Sequence, residues 1–114
     1  MKVLVCGGRD YKDGTALFKY LDSLHQERTI TVLITGGASG ADTLAVIWAG
    51  SKEEIKIKTY FAHWRVDGRA AGFIRNQRML DQGEPDLVVA FPGGSGTNHM
   101  IFLAKQAKLE ILRP

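Results

Sequence analysis

Glycines clustered with small hydroxyl residues after a short apolar run can hold an anion on the backbone. Pro92-Gly93-Gly94-Ser95-Gly96-Thr97 follows Leu87-Val88-Val89-Ala90-Phe91 in that arrangement. Three glycines in four positions remove Cβ atoms from the turn, so backbone N–H groups can approach a phosphate closely. A helix-like segment opens near Gly96, and its unpaired N–H groups and dipole would add donors without any lysine. A second turn, Gly36-Gly37-Ala38-Ser39-Gly40, follows another apolar run, and a third, Gly7-Gly8-Arg9, follows the first. The expected chemistry is phosphate binding for a nucleotide-type ligand. The competing reading is that these glycines only make tight strand-to-helix turns.

Other side chains fit the same ligand. Arg75 and Arg78 are three apart, so on a helix they project from neighbouring points of one face and could clamp a phosphate, or could simply be solvated. Arg9 is a third cation for the same anion. Trp64, with His63 beside it, could stack on a base or could cover the core. Asn98 and His99 fall in the first turn of the helix that the glycine motif opens. Asp42 is the one acid nominated as a catalytic carboxylate; its other reading is a helix-start acid that favours the dipole. Cys6 reads as a small buried strand residue. The three histidines have no ligand-like spacing and there is one cysteine, so no metal site is expected. No cofactor is expected either. The three-glycine dinucleotide fingerprint is missing after the first strand, and neither glycine turn runs on into a lysine and a hydroxyl residue as a P-loop does.

The elements that would carry these residues alternate. Lys2-Val3-Leu4-Val5-Cys6, Thr31-Val32-Leu33-Ile34-Thr35, Lys56-Ile57-Lys58-Thr59-Tyr60-Phe61, Leu87-Val88-Val89-Ala90-Phe91 and Leu109-Glu110-Ile111-Leu112 read as strands, the third nearer a sheet edge. Helical spacing joins Leu17, Tyr20, Leu21 and Leu24, capped by Asp13 or Thr15, and then Ala41, Leu44, Ala45 and Trp48. A loop over His63-Trp64-Arg65-Val66-Asp67 precedes a helix at 68–82, with Ala70, Ala71, Phe73, Ile74 and Leu80 on its apolar arc. Gly83-Glu84-Pro85 ends it. Met100, Ile101, Leu103, Ala104 and Ala107 mark the last helix. Five strands with short helical crossovers predict an α/β, Rossmann-like three-layer sandwich with a mainly parallel sheet. With the order 3-2-1-4-5, adopted by analogy, Gly7-Gly8-Arg9 and the Pro92 turn would face each other across one crevice.

At 114 residues, with 45% hydrophobic and 24% charged residues, the chain is expected to form one globular domain, 1–114. The formal charge of +3 suits an anionic small ligand as well as nucleic acid. No apolar stretch approaches the ~20 residues that cross a bilayer, and no signal-peptide pattern is visible, so no membrane association and a cytoplasmic location are expected.

The glycine motifs at 36–42 and 92–97, together with Trp64, Gly68, Ala70-Ala71-Gly72 and Arg75-Asn76-Gln77-Arg78-Met79, resemble the SLOG superfamily. The likeness is to its small branch with a Gly-Ser-Arg-like start, here Gly7-Gly8-Arg9. Other branches include the LONELY GUY phosphoribohydrolases, which release a base from a nucleoside 5′-monophosphate, and DprA, which binds single-stranded DNA. The resemblance implies a pocket for a nucleotide-derived ligand, such as ADP-ribose or a nucleoside monophosphate. It would be built from Gly7, Gly8, Arg9, Gly36, Gly37, Ser39, Gly40, Asp42, Trp64, Arg75, Asn76 and the six residues from Pro92 to Thr97. It also implies a homodimer or higher homo-oligomer. Two glutamates follow the glycine motif in the phosphoribohydrolases; here His99 and Met100 stand in their place. Binding or sensing is therefore expected ahead of N-glycosidic hydrolysis, with nucleic-acid binding a further alternative that is not favoured.

Overall fold

The computed structural model describes residues 1–114. Strands β1 (Lys2–Cys6), β2 (Val32–Thr35), β3 (Lys56–Thr59), β4 (Leu87–Ala90) and β5 (Glu110–Leu112) form one sheet in the order β3-β2-β1-β4-β5, every pairing parallel. The helices are α1 (Gly14–Glu27), α2 (Ala41–Gly50), α3 (Trp64–Asp67), α4 (Ala71–Gly83) and α5 (Ser95–Gln106), with a 3-10 turn over Gly68–Ala70. The α/β, Rossmann-like sandwich and its strand order are those expected.

Central β1 explains the layering. Val3 and Val5 point to the side where Leu17, Leu21 and Leu24 of α1 and Ala45 and Trp48 of α2 pack. Leu4 and Cys6 point to the other, against Met79 of α4 and Met100, Ile101 and Ala104 of α5. Both faces are covered, so the strand must be apolar at every position after its first. Each fully buried Val or Leu contributes about 1.5–3 kcal/mol relative to exposure. The edge strand β3 carries exposed Lys56 and Lys58, charges that discourage pairing with another chain.

Several local expectations are corrected. Of the two cap candidates for α1, Asp13 does the work: its Oδ1 accepts from the Ala16 N–H at 3.0 Å, a contact worth about 1 kcal/mol. The expected loop at 63–67 contains the short helix α3, and the helix expected from Gly68 begins as the 3-10 turn and becomes α4 only at Ala71. β3 ends at Thr59 and not at Phe61: the Tyr60 N–H still donates to the Thr35 carbonyl at 2.9 Å while its side chain packs on the core, and Phe61 makes no further bond to β2. Phe73 and Ile74 are 47% and 44% exposed, so the buried side of α4 is instead Ala71, Asn76, Met79 and Gly83.

Candidate functional site

β1 and β4 end side by side, and their loops extend the pairing. Phe91 N–H donates to the Cys6 carbonyl at 2.9 Å, and Gly8 N–H to the Pro92 carbonyl at 2.8 Å. Gly7-Gly8-Arg9 and the Pro92 turn therefore do not face each other across a crevice; they are joined into one wall. A Cβ on Gly8 would stand 3.0 Å from the Pro92 oxygen and 3.2 Å from Gly93 Cα, so this approach leaves little room for a side chain. The facing wall is made by Trp64 of α3, Arg69, and Gly72, Phe73, Arg75 and Asn76 of α4, around a cleft of about 870 Å³.

The two glycine-rich helix starts meet different fates. At α5 the first helical bond runs from Asn98 N–H to the Gly94 carbonyl at 3.0 Å, and no side chain caps the helix. The N–H groups of Gly93, Gly94, Ser95, Gly96 and Thr97 have no acceptor within the protein, and all these residues, with Pro92, line the cleft. At α2 the corresponding end is covered. Ala41 N–H donates to the Gly8 carbonyl at 3.1 Å, and Gly40, at φ 78°, is pressed under the carbonyls of Gly8 and Arg9. Ala38 N–H donates to Asp42 Oδ2 at 3.1 Å, and Ser39 Oγ leans on the Arg9 carbonyl at 3.4 Å. Of this second motif, Ala38 and Asp42 reach the cleft. Gly36, Gly37 and Ser39 line a smaller neighbouring hollow of about 310 Å³, and Gly40 lines neither space.

Arg75 crosses from α4 to the β2 loop. Its Nη1 donates to the Gly36 carbonyl and its Nε to Asn76 Oδ1 at 3.1 Å. Asn76, 4% exposed, uses its Nδ2 on the Gly96 carbonyl at 3.1 Å and on His99 Nδ1 at 3.1 Å. Because Asn76 Oδ1 already accepts from Arg75, its Nδ2 is the donor and His99 Nδ1 the acceptor, so the neutral imidazole carries its proton on Nε2. Burial holds the His99 pKa below its ordinary value, and the ring stacks on Phe73 with centroids 4.1 Å apart. Arg78 does not share the clamp. Its Nη2 donates to the Phe61 carbonyl at 2.8 Å, so the two arginines part toward different loops.

Residues 1–66 match the YspA, cpYpsA-related SLOG family, more than half of the chain. The chain belongs to that SLOG family. It is also similar to the gene 61 protein of Mycobacterium phage D29, 36% identical over 118 residues that span 97% of this chain and 94% of that protein. That match extends past residue 66 over nearly the whole chain. SLOG membership fits a nucleotide-related function in the broad sense.

The floor of this SLOG cleft holds buried polar groups. Asp42 is 6% exposed, and burial pushes its pKa up to about 6, against the opposing pull of the Ala38 N–H and the nearby Arg75 guanidinium. Burial, aided by the Asp42 carboxylate, pushes the Cys6 thiol up to about 12, so it stays protonated and is no nucleophile at neutral pH. Burial lowers the Arg75 pKa; Arg9 and Arg78 push the same way and Asp42 opposes them. The guanidinium nevertheless remains charged at any ordinary pH. At His99 and Met100, the positions compared above with the phosphoribohydrolase glutamates, no acid is present. Met100 is fully buried in the core, and His99 is turned to Asn76 and Phe73.

Arg9 and Trp64 come together, the guanidinium 5.4 Å from the ring centroid, where the cleft meets the hollow. Sequence reasoning missed Tyr11, Arg69 and Phe73 in the cleft and Phe61 in the hollow. A usable signal existed for Tyr11 and Phe61: an aromatic residue within a few positions of a glycine turn or a strand's carboxyl end. No group of three or more His, Cys, Asp or Glu gathers as a metal site, and no helix is long and apolar enough to cross a membrane.

Proposed function

We propose that this SLOG chain binds a nucleotide or nucleotide-derived ligand, with a phosphate on the backbone N–H groups of residues 93–97 and its charge met by Arg75 and Arg9. The observation that carries the reading is the open α5 start: consecutive N–H groups without acceptors, at the positive end of a helix dipole, on the cleft that Arg75 borders. Only one glycine motif acts as the cradle, because the other spends its helix start on the Gly8 carbonyl. Asn76 is a positioning residue, holding Arg75 and the first turn of α5. The role of the protein is sensing or sequestering the ligand. Thermal-shift titration with AMP, ribose 5-phosphate, ADP-ribose and NAD tests this, since a ligand that binds the native state stabilises it, by about 2.7 kcal/mol at a hundredfold excess over Kd, and so raises the melting temperature. No shift with any of them at millimolar concentration overturns the reading.

A second reading, N-glycosidic hydrolysis of a nucleotide, is favoured by one observation: Asp42 is a buried carboxyl on the cleft with its pKa raised to about 6, in the range useful for proton transfer. Base release from nucleoside 5′-monophosphates that is abolished in Asp42→Asn would establish it. Release unchanged by that substitution would remove Asp42 from the reaction.

A further inference from the structure

The hollow beside the cleft has an aromatic side that the phosphate site does not use. Phe61 is 62% exposed and Trp64 50% exposed, yet Phe61 is no loose surface ring. One side of it lies on the Gly37 backbone, so close that a Cβ there would come within 2.6 Å of Phe61 Cδ1, and its carbonyl is held by Arg78 at 2.8 Å. The remaining ring surface borders the hollow. Trp64 lines the same hollow, with the Arg9 guanidinium over its ring, and Arg75, Arg9 and Trp64 border the hollow and the cleft alike. A ring fixed in place with apolar surface left in water is a ready stacking platform, and it tolerates any base because every base has a π-face.

We infer that this hollow is the base subsite: the ligand places its phosphate at the α5 start, passes over Arg75, and stacks a flat heteroaromatic ring on Phe61 with Trp64 alongside. The inference rests on the nucleotide reading above and deepens it, by assigning the place where the base of that ligand is held. It also accounts for the turn at 36–40. Gly36, Gly37 and Ser39 shape the wall beneath the base while α5 takes the phosphate.

The test compares ribose 5-phosphate with the four nucleoside 5′-monophosphates by calorimetric titration of the wild type, Phe61→Ala and Phe61→Tyr. At least one monophosphate is expected to bind the wild type about tenfold or more tightly than ribose 5-phosphate. Phe61→Ala should abolish that preference and leave ribose 5-phosphate affinity unchanged, and Phe61→Tyr should retain it. Phe61→Leu, which keeps apolar volume over Gly37 without a ring, gives the same comparison should the alanine variant fail to fold. Equal binding of sugar phosphate and every monophosphate sinks the base subsite and leaves the phosphate cradle standing, as does a preference that survives in Phe61→Leu. Binding of none of them sinks both.

Discussion

The side-chain amide of Asn76 donates to the carbonyl of Gly96 at 3.1 Å and so ties the middle of α4 to the first turn of α5. The same side chain accepts from Arg75 and donates to His99, so one buried residue sets the position of the Arg75 guanidinium and of the open α5 start.

Asn76→Ala is accordingly expected to destabilise the fold by about 1–3 kcal/mol, the cost of leaving buried polar partners unsatisfied. Urea unfolding measures it. Asn76→Leu, which fills the volume without the bonds, should recover little of the loss; full recovery would mean that packing, not hydrogen bonding, is what Asn76 supplies.

Gly40 is held at φ 78° under the Gly8 and Arg9 carbonyls. With ψ at −126° it lies in a region that residues with a Cβ hardly enter, so Gly40→Ala carries a backbone penalty of about 1–3 kcal/mol before any clash is counted. The clash is with backbone, which cannot swing aside. A loss above about 2 kcal/mol in chemical denaturation is expected, and a variant as stable as the wild type would contradict the packing of α2 beneath the β1 loop.

Gly96 sits inside α5, and a Cβ there meets nothing within 4 Å. Gly96→Ala should therefore stabilise the fold, by about 0.5–1 kcal/mol from the helix preference for alanine. If a phosphate rests on this turn, the same methyl group intrudes on it, and affinity for ribose 5-phosphate should fall about tenfold or more. Higher melting temperature with undiminished binding would place the anion elsewhere.

Asp42 gives a pH signature. Its folded pKa, pushed up to about 6 by burial, lies above the unfolded value near 3.9, so the native state holds the proton more tightly. The group costs nothing below the unfolded pKa, and its penalty grows as pH rises through the folded pKa. Between about pH 4 and 6 it makes the protein less stable with increasing pH. Asp42→Asn removes that penalty. The stability difference, variant minus wild type, should grow from pH 4 to pH 7 by an amount of the order of 2 kcal/mol. A difference that is flat across this window would show that Asp42 is ionised in the native protein with an ordinary pKa.

Much of the fold is legible in the residues because burial on two faces leaves a plain mark: Lys2–Cys6 and Leu87–Ala90 are apolar runs, and they are the central strands. The 3-2-1-4-5 order came by analogy, and the sheet has it. What could not be read depends on neighbours distant in the chain. The turns after β2 and β4 are alike in composition, but the Gly8 loop lies on one of them and leaves the other open. Arg75 and Arg78 share helical spacing, yet the carbonyls that receive them, Gly36 and Phe61, lie on different loops. Phe73 and Ile74 have the composition of a core arc, and only the placement of α4 decides that they stay half exposed. Four-residue α3 is too short for any period to mark it.

Gly8 gives its N–H to Pro92 and takes a hydrogen bond from Ala41 on its carbonyl, so β1, β4 and α2 meet at a single rivet. Three of the loops around the cleft cannot slide past one another without breaking it. The facing helix α4 is fastened to the same frame, by Asn76 to the Gly96 carbonyl and by Arg75 to the Gly36 carbonyl. Both walls of the cleft are thus braced by hydrogen bonds of the fold itself, and its width is a property of the folded chain.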